Sequence, residues 1–399
     1  MMFHSKLLSI LIGAFLYLSI PEPESAKNTF VVKNSLNINR SFETVEIDLN
    51  LFELKELKVN NRYAIVDIVT KQEIVSQVID VDEDGEVDQI LFQPEMKPNS
   101  ERVFEIIIKK KQTKDTEHLR CYSRFVPERT DDYAWENNRV AFRTYGPTAQ
   151  KMVEENIRGG TLSSGIDAWL KRVEYPIINK WYEKTTSGKG SYHEDTGEGL
   201  DNFHVGVSRG VGGVAVKKDS TYYFSRNFTS WKTITNGSIR TSFVLEYENW
   251  DANGTLISEK KYISLDYGSN LSKFTIEIKG ADTISAGLTL HKKDGEINTS
   301  IENGWISYWE PFGDSELGQG IVAPKSNMVG YQNYNTNKVD ESNLYAHLKV
   351  TNNKVTYYAG FGWEKSGQFK SKEAWNNYLA LFSKKINTPL TIKILNSNN

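Results

Sequence analysis

Residues 231–250 read WKTITNGSIRTSFVLEYENW, two alternating runs on either side of Asn236-Gly237. Alternation places successive side chains on opposite faces of an extended chain, and Asn-Gly between two such runs is a strong hairpin signal. The stretch therefore predicts a pair of long antiparallel strands. Similar runs surround it: NRVAFRTYG, GVAVKKDSTYYFSRNF, ISEKKYISLDYG, SKFTIEIKG, SAGLTLHKK and VTYYAGFGW, with a second Asn-Gly at Asn253-Gly254. Only residues 148–157 and 371–386 carry the wider spacing of helices. No fixed-period repeat and no low-complexity tract interrupts this pattern.

Many long strands with few helices predict an all-β protein, a large antiparallel β-supersandwich. By analogy, this architecture is similar to that of mutarotases and polysaccharide lyases. Shorter strands over residues 28–112 predict a small N-terminal β-domain, and the polar segment 112–120 reads as a linker. The expected organisation is a signal peptide at 1–26, the β-domain and linker at 27–120, and the sandwich at 121–399. Lys6 ahead of an apolar run from Leu7 to Ile20, too short for a comfortable span, predicts export to the periplasm or medium, with no integral membrane segment after cleavage. The only cysteine, Cys121, excludes an intramolecular disulfide. A formal net charge of −3 argues against a nucleic-acid partner. Oligomeric state has no signature in the sequence.

Several motifs carry chemistry. Asp80, Asp82, Asp84 and Asp88 surround Gly85, the way calcium loops present oxygen ligands, although Leu91 stands where an EF-hand needs its bidentate glutamate. The alternative is a plain hairpin tip. Arg139 and Arg143, four apart in an expected strand, would project from one face and hold a carboxylate or sulfate, or else pair with nearby acids. Trp135, Trp309 and Trp363 are either core or platforms for a sugar ring. Asp167 and Arg172 read as a structural ion pair. The richest stretch is 191–206, SYHEDTGEGLDNFHVG, with His193 and His204 among four carboxylates and three glycines. Zinc is disfavoured by the spacing, and a glycosidase pair has no preferred carboxylates here. A lyase or dehydratase would divide base and acid roles between His193, His204 and Tyr192.

VPERTDDYAWENNRVAFRTYGP, SSGIDAWLKR, YHEDTGEGLDNFHVG, SRGVGGVAV, LDYGSNL and YYAGFGWEKSG together resemble the bacterial family catalogued as domain of unknown function 4861, over essentially the whole mature chain. The resemblance implies a place in polysaccharide degradation. It also implies the activity of an ulvan oligosaccharide dehydratase: loss of water across C4–C5 of a non-reducing-end uronic acid, leaving a 4,5-unsaturated uronyl end. It transfers no catalytic residues. On the chemistry alone, His193 or His204 is the base, and Tyr192 or the other histidine the acid. Arg139, Arg143 and Arg209 are candidates for the carboxylate or a neighbouring rhamnose sulfate. The expected partner is an anionic oligosaccharide, and no cofactor is required beyond the candidate structural calcium. A secreted carbohydrate-binding protein and a mutarotase-like isomerase are the alternatives.

Overall fold

A computed structural model describes residues 28–110, except 53, 55 and 56, and residues 119–395. The expected signal peptide and most of the linker lie outside the described residues. No described helix is long and apolar enough to cross a membrane.

The fold is all-β, with every pairing between its strands antiparallel. The N-terminal domain packs a five-stranded sheet on a three-stranded one. Phe30, Phe92 and Phe104 meet between them, with ring centroids 5.2–5.8 Å apart. The sequence boundaries place the end of the chain with the sandwich. Instead Thr391–Leu395 returns and pairs with Thr29–Lys33 at the edge of the N-terminal sheet.

The sandwich has a nine-stranded sheet as one layer. Facing it are two five-stranded sheets, which meet where Ile166 bridges Gly210. Alternation sends Phe243, Leu245, Ile263, Leu265, Phe274 and Ile276 inward, and one continuous core joins all three sheets. Residues 231–250 form the expected hairpin, Ser230–Thr235 against Arg240–Glu246. Neither Asn236 nor Gly237 takes a positive φ, so the connection is not the two-residue turn that Asn-Gly commonly forms. The Asn236 side chain instead accepts from the Ser123 amide at 2.7 Å. Gln77 of the N-terminal domain clips the far side, accepting from the Ile239 and Arg240 amides at 2.8 Å. Asn253-Gly254 does have positive φ at both residues, 53° and 80°.

Helices α1 (Pro147–Glu154) and α3 (Lys372–Asn387) match expectation within a residue or three. Between them in sequence, α2 (Ile178–Thr186) was not foreseen. Its Trp181 and Tyr182 pack on Trp169 of the strand Asp167–Lys171, so tertiary contacts stabilise a helix too short to stand alone.

Candidate functional site

Where residues 193–207 leave the short strand Gly199–Leu200 and run towards Val211–Lys218, they border an open cleft of about 670 Å³. His193, His204, Arg129, Asp132, Arg143, Tyr145 and Asp201 line it. The structure thus brings both histidines of the loop to one place, together with Arg143.

His193 is held by its own loop: Nδ1 lies 2.6 Å from the Asp201 carbonyl oxygen. A carbonyl only accepts, so Nδ1 carries a proton, and in the neutral ring Nε2 is the nitrogen with the lone pair. His204 lies across the cleft lining with Nε2 2.8 Å from Asp340 Oδ2. Gly206 makes that pairing feasible. Its φ is +52°, and a Cβ there would stand 2.2 Å from the same Asp340 oxygen.

Arg143 is the centre of a buried network. Nε donates to Asp167 at 2.6 Å, Nη2 to Asp201 at 2.8 Å and Nη1 to the Tyr192 hydroxyl at 3.1 Å. Asp132 lies 3.5 Å away. Three carboxylates share this one guanidinium in a dry environment. Burial pushes Asp132 up to about 6, against the pull of Arg143. Burial and the Asp201 charge push Asp167 well above the carboxylate range. Burial disfavours the Arg143 cation, but the three aspartates outweigh it and raise its pKa further. Arg143 is thus saturated, a structural hub rather than an open clamp.

The arginine with capacity to spare is Arg129, which the sequence reading passed over. It donates from Nε to Tyr192 and from Nη1 to Thr130, and no carboxylate pairs with it among the described residues. It closes a 3-10 turn, Pro127–Arg129, followed by Thr130 and Asp131 at φ +50° and +65°. Two consecutive non-glycine residues in the left-handed region store strain, which concentrates at functional sites. The sequence signal was present in PERTDD, where the turn-forming Pro127 precedes the arginine. Tyr192 is buried, its ring tilted against Trp169 and His193, and its hydroxyl meets both guanidiniums. It does not line the cleft, so its position is that of a support for Arg129 and His193.

Other candidates lie elsewhere. Arg139 falls in the turn before the strand Ala141–Thr144, not in it, so it does not share a face with Arg143; it lines a separate cavity. Arg209 is fully buried, donating to Ser164 and the Val207 carbonyl and stacking on Phe224 at 3.7 Å. Burial lowers it to about 10. Trp135, Trp309 and Trp363 are all core residues, so none offers a ring face to a ligand. Asp167 pairs with Arg143 and not with Arg172, which bonds Asp195 at 2.9 Å. Asp195 and Glu198 are engaged in holding the loop, the latter by Lys180 and Tyr175.

The Asp80–Asp88 segment is the tip of the hairpin joining Ser76–Ile79 to Gln89–Phe92. Asp80, Asp82 and Asp88 bring carboxylate oxygens within 4.8 Å of one another, while Asp84 stands outside the group. Their oxygens already accept from loop amides: Asp80 from Glu83 and Gly85, Asp88 from Val81. The donor set suits a hard cation, but the turn is also satisfied by itself.

A further pair went unnoticed in the sequence. His291 Nδ1 lies 2.7 Å from the buried Glu310, beneath Phe203 of the cleft loop. His291 Nε2 and Glu310 Oε2 have no partner among the described residues.

The class defined by this geometry is an all-β sandwich whose candidate site is carried by loops at a sheet junction. The chain belongs to the family described as Domain of unknown function (DUF4861), whose model matches residues 32–392. It is 54% identical over 392 residues to a Formosa agariphila protein described as "Uncharacterized protein P7", covering 98% of this chain and 99% of that one. Among solved structures it is similar to a protein in glycosyl hydrolase family 38 from Enterococcus faecalis. There the TM-score is 0.45 and the identity 13%, over 92% of this chain and 47% of that chain. The chain thus spans about half the length of that structure.

Proposed function

We propose that the protein is an exported carbon–oxygen lyase that removes water across C4–C5 of the terminal uronic acid of anionic, ulvan-type oligosaccharides. The observation that carries this reading is His193: its Nδ1 is tied to a main-chain carbonyl, which leaves Nε2 as a base in the same cleft as Arg129, which forms no salt bridge among the described residues. In this mechanism Arg129 binds the uronate carboxylate and neutralises charge that develops on it as the C5 proton leaves. His193 Nε2 takes that proton. The C5–H electrons form the C4–C5 double bond, the C4–O bond breaks, and His204 protonates the departing oxygen so that it leaves as water. The cleft volume lies within the roughly 300–1,000 Å³ of small-molecule sites. The apolar run at residues 7–20 supports a periplasmic or secreted location.

The test is to mix the protein with saturated uronyl-rhamnose oligosaccharides and follow ultraviolet absorbance and mass. Loss of one water with rising enoate absorbance is expected. His193→Ala should lower turnover by about two to four orders of magnitude with folding intact. Near-normal turnover in both His193→Ala and His204→Ala would remove the loop from the mechanism. A mutarotase-like isomerase is a second reading, favoured by the His291–Glu310 pair; it predicts faster anomer exchange on a reducing sugar and no new absorbance.

A further inference from the structure

A second cavity, of about 420 Å³, lies between the N-terminal domain, the nine-stranded sheet and α3. Its walls are rings: Phe42, Tyr358, Phe369, Tyr378 and Phe382. Its carboxylates are already engaged. Glu43 is held by the fully buried Arg40, while Arg240 donates to Asp266 at 2.6 and 2.9 Å and to Glu46 at 2.6 Å. Three further cations face the cavity: Arg139, Lys273 and Lys385. None of them has a carboxylate partner among the described residues. Among the described residues, the Arg139 side chain makes a single 3.3 Å bond, to Asn270, and its buried Nε has no acceptor. Among the described residues, the Lys385 ammonium reaches only the Ser41 carbonyl, at 3.5 Å. Counting Arg40, five cations thus stand against three carboxylates. Burial already depresses Lys385 below an ordinary lysine, so an arriving anion would relieve a standing cost.

Phe42 adds a separate sign. It has φ +52°, although a bulky residue strongly disfavours the left-handed region. The residue nevertheless remains 46% exposed and lines the cavity, its ring against Tyr267 and close to Gly268, with the Arg139 guanidinium 5.9 Å from the ring centroid. Strain at a residue left this exposed gains little for the core, and it fits a ligand clamp.

We infer that this cavity is a second binding site, for an anionic sugar whose carboxylate or sulfate meets Arg139 and Lys273 and whose ring lies against Phe42 and its aromatic neighbours. Flat faces beside guanidinium forks recognise a ring and its anionic group together. The site is independent of the cleft and of the reaction assigned to it.

The experiment is calorimetric titration of the chain carrying Arg129→Met and His193→Ala, which disables the cleft. Methyl glucuronide and a methyl rhamnoside 3-sulfate are the anionic probes, methyl glucoside the neutral one, and benzoate the anion with a different ring. Saturable binding of at least one anionic sugar is expected, at least tenfold tighter than methyl glucoside. Adding Arg139→Met with Lys273→Met, or Phe42→Ala, should weaken it at least tenfold at an unchanged melting temperature. Which anionic probe binds tells carboxylate from sulfate. Absence of binding in the cleft-disabled chain, equal binding of the neutral sugar, tighter binding of benzoate, or indifference to both sets of substitutions would each overturn the inference. Dehydration by the unmodified cleft is read separately by absorbance, so the two proposals fail independently.

Discussion

Replacing Arg143 by Met keeps most of the side-chain volume and removes the one cation shared by Asp132, Asp167 and Asp201. All three carboxylates have at most 2% of their side chains exposed. Breaking a buried ion pair from one side costs about 3–5 kcal/mol, because a charge is left uncompensated. The loss is capped by protonation, at about 1.4 kcal/mol for each pH unit by which a carboxylate pKa must rise. Urea denaturation at pH 7 should therefore show the variant about 3–5 kcal/mol less stable. The pH dependence has a definite sign. Asp132 already sits near 6 in the folded protein, above its ordinary value of 3.8. A raised carboxylate favours the folded state below the unfolded pKa and loses that contribution as pH rises through the folded one. In the wild type this window runs from about 4 to 6 and is worth on the order of 3 kcal/mol. Without Arg143 the folded pKa values move higher still. The variant should then approach wild-type stability near pH 4 and diverge from it above pH 6. A loss below about 1 kcal/mol, with no change in pH profile, would show that the guanidinium is not committed to the aspartates and is free to hold a ligand.

Gly206→Ala should cost about 1–2 kcal/mol for the left-handed backbone alone, and its methyl should displace Asp340 from His204; nitrogen NMR of the His204 ring checks this, and an unshifted ring would contradict it. Trp135→Ala should lose about 3–5 kcal/mol, partly with the 2.9 Å bond to Ser272. Sugar binding by the folded remainder should be unchanged, and binding lost without loss of stability would mean that the indole meets ligand. If Asp80, Asp82 and Asp88 take calcium, millimolar calcium raises the melting temperature relative to a chelator control; an unchanged melt makes the loop a plain turn.

Period-two alternation made the sandwich readable, because each strand has one face in a common core. What the alternation hid was where strands end. Arg139 and Arg143 seemed to share a strand, yet Asn137 turns the chain by accepting from the Arg139 and Val140 amides. Helix α2 was missed because nine residues give little periodicity and its stability comes from Trp169. In the site, the histidine loop was legible from residue type and glycine spacing. Arg129 was not: nothing local separates an arginine with a spare donor from one saturated by three aspartates 11 to 58 residues away in sequence. Of the two readings open for Trp135, Trp309 and Trp363, core or platform, the structure shows the core one, and sequence could not choose because tryptophan serves a core as well as it serves a sugar.

The pairing of Thr29–Lys33 with Thr391–Leu395 has a consequence for how the chain is made. Strand Thr29–Lys33 waits for Thr391–Leu395 to leave the ribosome. Until then it has Glu101–Lys110 on one side and an open row of amides and carbonyls on the other. An unprotected edge of this kind invites pairing with other chains, and contacts so distant in sequence form slowly. The tail after α3 therefore acts as a closing seam. A chain cut before Thr391 would retain the sandwich and its cleft, but would carry a permanently adhesive N-terminal domain.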